Sequence, residues 1–85
     1  MSDKIYSFTK KDLARNVVTG EYFIVDSDIY RTNQHRHKPA HRYRYCIRIP
    51  DLIRVMVFDR TFANFELIAR NTEYNSEARH ERDKG

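Results

Sequence analysis

The sequence predicts a small α+β domain, in which a mostly antiparallel sheet of three to four strands carries one or two short helices on one face. Three observations support this prediction. The chain has 85 residues, which leaves room for a single hydrophobic core. Its hydrophobic content of 40%, with six Tyr and five Phe, is enough to build that core. Only two Gly and two Pro are present, so regular structure with few sharp turns is expected.

The first predicted helix covers residues 10–18. Thr9 and Asp12 have the spacing of a capping box, and Gly20 is a suitable helix end. The alternative is a β-hairpin that turns on Thr19 and Gly20, because the valines before this pair and the aromatic residues after it favour strands.

Four segments have strand character. Residues 4–8 alternate as a short strand, and residues 21–30 form a strand that is broken or bulged at 26–28. Residues 42–49 alternate most regularly, and residues 52–58 are apolar at most positions. The Pro-Asp pair between the last two segments is a turn signal and predicts an antiparallel hairpin.

A second helix is predicted over residues 62–70, although the same residues also alternate as a strand. Residues 31–40 have no apolar periodicity and are expected to form one long basic loop. The globular domain should therefore cover residues 1–72. Residues 73–85 form a polar, charged tail that we expect to be flexible.

Alternation divides the strand at 42–49 into two faces. One face holds Tyr43, Tyr45, Ile47 and Ile49, and the other holds Arg42, Arg44, Cys46 and Arg48. We expect the helices to cover the tyrosine face and the arginines to meet solvent. The predicted core consists of Ile5, Leu13, Val17, Phe23, Tyr45, Ile47, Ile49, Val55, Val57, Phe65 and Ile68.

The positive charge of the chain is unevenly placed. The formal net charge is +4, and the stretch HRHKPAHRYRY at 35–45 has four Lys or Arg residues and no acid. Such a local field attracts polyanions and acidic protein surfaces. We therefore expect a small basic protein that binds a polyanion, RNA or single-stranded DNA first, through its Arg- and His-rich 31–54 region. The predicted binding residues are Arg36, Lys38, Arg42, Arg44, Arg48, His35, His37 and His41.

The same basic surface suits a second function. A small inhibitor or regulator, for example a viral one, could use it to dock on an acidic or nucleic-acid-binding surface of a larger protein machine. Arg and Tyr are residue types that anchor protein interfaces, and complementary charge speeds the encounter. The composition of the chain does not separate these two functions.

A ribonuclease is the third possibility. An early helix followed by an Arg-rich antiparallel hairpin resembles the order of elements in the RelE-type toxin ribonucleases, which implies metal-independent cleavage of RNA. The resemblance contains no motif and assigns no residue. Taken by themselves, His41, Arg44 and either Asp26 or Asp28 could transfer protons and stabilise phosphate charge. No complete set of nucleophile, base and orienting group is visible, so the sequence favours a binding protein over an enzyme.

The histidines and the single cysteine bear on metal binding and on the cellular compartment. His35, His37, His41 and Cys46 lack the usual zinc-ligand spacings, and cations interleave them, so no metal or other cofactor is predicted. A lone cysteine, no apparent signal peptide and short apolar runs predict a cytoplasmic protein without membrane contact. An open sheet edge would allow a homodimer.

Overall fold

The computed structural model describes residues 3–32 and 40–73. These residues form a six-stranded sheet in which every pair of neighbouring strands is antiparallel, together with one four-residue α-helix and one 3-10 helix. The predicted α+β class with a three- to four-stranded sheet is therefore wrong. After the 3-10 helix Lys4–Ser7, the elements are β1 (Leu13–Asn16), β2 (Tyr22–Val25), β3 (Tyr30–Arg31), β4 (Arg42–Ile49), β5 (Ile53–Phe58), α1 (Asp59–Phe62) and β6 (Phe65–Ala69).

Strand β4 is the centre of the sheet. Strands β2 and β3 pair with its C-terminal and N-terminal halves along one edge, and β5 pairs with the other edge. The sequence at 26–28 interrupts what would otherwise be one long strand, as predicted. Strand β1 lies on the far side of β2, and β6 pairs with β1. Strands β4 and β5 form the most extensive strand pairing in the sheet, and the bounds of this hairpin agree closely with the predicted ones.

The predicted helix over 10–18 is a hairpin, which was the alternative. Asn16 ends β1, and its side-chain oxygen accepts hydrogen bonds from the backbone N–H groups of Val18 (2.9 Å) and Thr19 (3.2 Å). Gly20 has φ +81° and donates its N–H to the Asn16 carbonyl at 2.7 Å. Asparagine thus gives the backbone a turn to adopt instead of a helix, and glycine tolerates the positive φ that this turn needs.

The Thr9 and Asp12 pair, read as a helix cap, forms a different local structure. The Asp12 carboxylate accepts hydrogen bonds from the Thr9 N–H (2.8 Å) and hydroxyl (3.1 Å), but no helix follows. Its Oδ2 also lies 3.1 Å from Arg70 Nη1, so this buried carboxylate ties the N-terminal segment to the chain after β6.

The two terminal elements of the prediction are also corrected. Within the predicted strand at 4–8, Lys4–Ser7 form the 3-10 helix. The predicted helix at 62–70 is wrong: α1 ends at Phe62, and Phe65–Ala69 form β6, which follows the alternation noted as the alternative. A four-residue α1 is too short to bury a helical stripe, whereas pairing with β1 satisfies the backbone of β6.

One face of the sheet, which we call the core face, is covered by the 3-10 helix and α1. Ile5, Phe8 and Phe62 from the covering segments meet sheet residues there, and Phe62 lies 4.9 Å from Phe65 between ring centroids. The sheet contributes Ala14, Phe23, Val25, Cys46, Val57 and Phe65. The covered face of β4 is thus the one that holds Cys46, opposite to the prediction.

The other face, which we call the open face, carries the odd-numbered residues of β4. No described helix packs against it. Ile24 and Ile47, paired at its centre, are nevertheless buried by their neighbours. Of the predicted core, five members are buried: Ile5, Phe23, Ile47, Val57 and Phe65. Val17 and Ile68 are exposed, because Val17 lies in the hairpin turn and Ile68 on β6, which pairs on one side with β1.

No helix within the described ranges is long and apolar enough to cross a membrane. The predicted tail, from residue 74 onward, lies outside those ranges.

Candidate functional site

Four aromatic side chains lie together on the open face, and we call them the aromatic platform: Tyr30, Tyr43, Tyr45 and Phe58. They meet because β3 and β5 pair with opposite edges of β4, which places Tyr43 between Tyr30 and Phe58. The Tyr43 ring centroid lies 5.8 Å from that of Tyr30 and 5.7 Å from that of Phe58. Tyr45 lies 5.7 Å from Tyr43, edge to face. Tyr30 is 46% exposed, so the platform reaches solvent.

The surroundings of Tyr43 affect the pKa of its phenol. Partial desolvation, followed by the unfavourable charge interaction with Tyr45, raises the pKa of Tyr43 above its ordinary value of 10.0. The Tyr43 hydroxyl therefore stays protonated in neutral solution and remains a hydrogen-bond donor as well as an acceptor. The platform thus presents flat apolar surface with polar tips, and it carries no negative charge of its own.

A guanidinium group belongs to this face. Arg54 Cζ lies 4.2 Å above the centroid of the Tyr45 ring, which is cation–π geometry. Its Nε also lies 3.3 Å from Asp26 Oδ2, at the point where β2 ends. This ion pair is partly exposed and so contributes little energy, but it fixes the guanidinium beside the ring.

The basic loop is attached next to the platform. Thr32 and His41 close its base: the Thr32 N–H donates to the His41 carbonyl, and the His41 N–H donates to the Thr32 hydroxyl, both at 2.9 Å. Arg36 and Lys38 of the predicted basic loop lie outside the described residues.

A shallow pocket of about 80 Å³ adjoins the far side of Phe58. Its lining consists of His41, Phe58, Asp59 and Arg60. The His41 ring meets the Phe58 ring edge to face, with centroids 6.3 Å apart. The pocket is thus continuous with the platform and adds one acid and one base to it.

The predicted binding residues have different environments. Arg36, Lys38, His35 and His37 lie outside the described residues. Arg42 donates a hydrogen bond to the Tyr6 hydroxyl at 2.7 Å, and Arg48 forms a salt bridge with Asp51 at 2.8 Å. His41 alone among the described members of the set lies on the open face, beside Phe58.

Arg44 is not exposed, contrary to the expectation for its strand face. It is 4% exposed and lies on the core face, where Nε and Nη2 donate to the Ser27 carbonyl at 3.0 and 2.8 Å. Its Nη1 donates to the carbonyls of Ile5 (3.1 Å) and Phe8 (2.5 Å). Burial lowers the pKa of this guanidinium, although a guanidinium stays charged in proteins. Its donors are occupied by backbone, so Arg44 is a structural residue.

The described residues that were predicted for catalysis and for metal binding do not lie together. His41 lies on the open face and both Arg44 and Cys46 on the core face, so β4 separates His41 from its suggested partners for catalysis and for metal binding. In residues 3–32 and 40–73, no group of three His, Cys, Asp or Glu side chains could hold a metal ion. The early helix on which the resemblance to RelE-type ribonucleases depended is the β1–β2 hairpin.

Comparison with known proteins adds no relative, because no family model, curated protein or solved structure matches the chain. The candidate site therefore depends on geometry alone. Sequence reasoning missed the platform as a surface. The arginines gave no signal for it, because Arg54 lies on the open face whereas Arg44 and Arg48 lie on the core face.

Proposed function

We propose that this protein binds single-stranded RNA or DNA on its open face, with bases stacked on the aromatic platform and phosphates near the basic loop. The observation that supports the proposal is the cluster of Tyr30, Tyr43, Tyr45 and Phe58 beside Arg54, on a face that no described helix covers. Open sheets with aromatic side chains hold single strands by stacking, which tolerates any base because each has a flat face.

The available charge fits this proposal. Several described cations are neutralised by acids, as Arg15 is by Glu66, Arg48 by Asp51 and Arg70 by Asp12. Within residues 3–32 and 40–73, Arg31 and Arg60 form no salt bridge. Arg31 pairs with Arg42 in the β3–β4 register and so lies on the face opposite to the platform, whereas Arg60 lines the pocket beside Phe58. We propose that Arg60, with Arg36 and Lys38 of the predicted basic loop, supplies the charge that phosphates neutralise.

The cysteine supports a proposal for the cellular compartment. Cys46 is the sole cysteine in the sequence and is fully buried. A fold that uses a free thiol as a small packed residue suits a reducing compartment, and we propose the cytoplasm.

Binding is tested with fluorescently labelled single-stranded RNA, single-stranded DNA and duplex DNA, titrated at two salt concentrations. We expect the single strands to bind more tightly than the duplex, because paired bases cannot stack on the platform. With three or four phosphate contacts, the logarithm of the affinity should fall against the logarithm of salt with a slope of roughly −2 to −3.

Replacing Tyr30 by alanine separates stacking from charge. Each base stacked on an aromatic ring contributes roughly 1–3 kcal/mol, so Tyr30→Ala should weaken single-strand binding about fivefold or more. Tyr6→Ala is the matched control, because Tyr6 is 55% exposed, close to the 46% of Tyr30, but belongs to the 3-10 helix. Equal losses in both variants would argue against the platform. No binding of any strand at low salt would reject the proposal and favour a protein partner for this surface, as for an inhibitor or regulator.

A further inference from the structure

The pocket beside Phe58 contains two opposite charges that are not paired. Asp59 and Arg60 both line it, yet within the described residues neither side chain makes a salt bridge or a side-chain hydrogen bond. This differs from Arg48 and Asp51, which are also close in sequence but join at 2.8 Å. A carboxylate and a guanidinium held in one pocket without meeting leave room for a group that satisfies both.

The charge pattern selects the chemistry of that group. An isolated phosphate would meet the Asp59 carboxylate, and a cation would meet the Arg60 guanidinium, so both suffer repulsion. A neutral planar group with donors on one edge and acceptors on the next avoids this cost. The rings of His41 and Phe58 line the pocket at an interplanar angle of 86°, so one ring can stack on the flat face of such a group while the other contacts its edge.

Guanine fits this description better than the other bases. Its O6 and N7 accept two hydrogen bonds from one arginine, which is the commonest base-specific contact of that side chain. Its N1–H and N2–H groups can donate two more to one carboxylate, which is an acceptor of hydrogen bonds only. Adenine, cytosine and uracil offer fewer paired contacts of this kind to a carboxylate and a guanidinium together.

We propose that this pocket reads one guanine of the bound strand, with the carboxylate of Asp59 accepting from N1–H and N2–H and the guanidinium of Arg60 donating to O6 and N7. The inference rests on the proposed function, because Phe58 belongs to both the pocket and the platform. The platform supplies affinity for any strand, and the pocket supplies preference for one base.

The test compares three labelled single strands: a uridine octamer, the same octamer with one central guanosine, and the same octamer with one central adenosine. The guanosine strand should bind the unmodified protein about fivefold to tenfold more tightly than the uridine strand, given the discrimination typical of a bidentate pair. The adenosine strand should gain less than twofold, which separates base reading from the stronger stacking of purines in general.

Two variants locate the preference. In Asp59→Asn and, separately, in the exposed Arg60→Gln, the advantage of the guanosine strand should fall below twofold, while the uridine strand still binds. Arg31→Gln is the matched control, since it removes an equally unpaired arginine that does not line the pocket and should leave the relative affinities of the three strands unchanged. Circular dichroism confirms that each variant is folded.

The outcomes distinguish the inference from the function on which it rests. Equal binding of the three strands, or a guanosine preference that survives in both Asp59→Asn and Arg60→Gln, would overturn the guanine pocket and leave platform binding intact. Binding of no strand would overturn both. A guanosine preference lost in the two pocket variants and kept in Arg31→Gln is the result we expect.

Discussion

Replacing Arg44 by alanine is expected to lower the free energy of unfolding by roughly 3–5 kcal/mol, because three buried carbonyls would lose their charged hydrogen-bond donor. Those carbonyls belong to Ile5 and Phe8 in the N-terminal segment and to Ser27 after β2, so the guanidinium joins two other parts of the chain to β4. A domain of this size has a total stability of about 5–10 kcal/mol. The variant should therefore lose about half of that stability and unfold at a markedly lower urea concentration than the unmodified protein.

Arg48→Ala is the control for this prediction. Arg48 lies on the same strand face as Arg44, but it is partly exposed and bound to Asp51, so its loss should cost less than about 1 kcal/mol. Arg44→Met tests the mechanism, because methionine fills much of the space without donating a hydrogen bond. Urea unfolding monitored by circular dichroism measures all three variants. If Arg44→Met were as stable as the unmodified protein, the Arg44 side chain would stabilise the fold by packing and not by its hydrogen bonds to the three carbonyls.

The thiol of Cys46 is expected to react about a thousandfold more slowly in the folded protein than in the unfolded chain at pH 8. Burial raises its pKa from 9.0 to about 12; the neighbouring Arg44 guanidinium opposes this shift and the Asp26 carboxylate adds to it. The reactive thiolate fraction at pH 8 falls by about three powers of ten for a shift of this size. The residue is also fully buried, so reagents reach it only when the protein opens.

Ellman's reagent measures this rate, with the protein in urea as the unfolded reference. A rapid reaction of the native protein would show that β4 opens readily or that Cys46 is reachable from solvent. The Arg48→Ala variant provides a folded control with the same thiol. Cys46 would still react slowly there, because Arg48 does not cover it.

The same shift has a consequence for stability in alkali. The unfolded chain loses the thiol proton near pH 9.0, whereas the folded protein keeps it to about pH 12. Between these values the native state binds more protons, so its stability falls as pH rises, by at most about 1.4 kcal/mol per pH unit from this group. Tyr and Lys residues titrate in the same range. The contribution of Cys46 is therefore the difference in slope between the unmodified protein and Cys46→Ala.

Several features of the fold were visible in the sequence. The hairpin of β4 and β5 was predicted because strict alternation, a turn signal and β-branched residues all agree over 42–58. The interruption at 26–28 was visible because polar residues break an apolar run. The basic charge around the loop was also evident, since it depends on composition and not on packing.

The sequence predicted helices in two segments, 10–18 and 62–70, and both predictions are wrong. Each segment also fits a strand period over a short length, and the pairing of strands far apart in the sequence decided between the two. β1 and β6 join each other and extend the sheet, and this pairing satisfies backbone groups that short isolated helices would leave to water.

The sequence by itself determined that β4 has a tyrosine face and an arginine face, and that positive charge concentrates near its start. Only the tertiary structure decided which face is covered. Alternation assigns side chains to faces but does not say which face another segment will cover. That depended on the segment that contains Ile5 and Phe8, whose carbonyls Arg44 binds from a position about forty residues later. A long-range contact of this kind turns a predicted surface arginine into a buried one and leaves the tyrosines on the open face, where we propose that they bind nucleic acid.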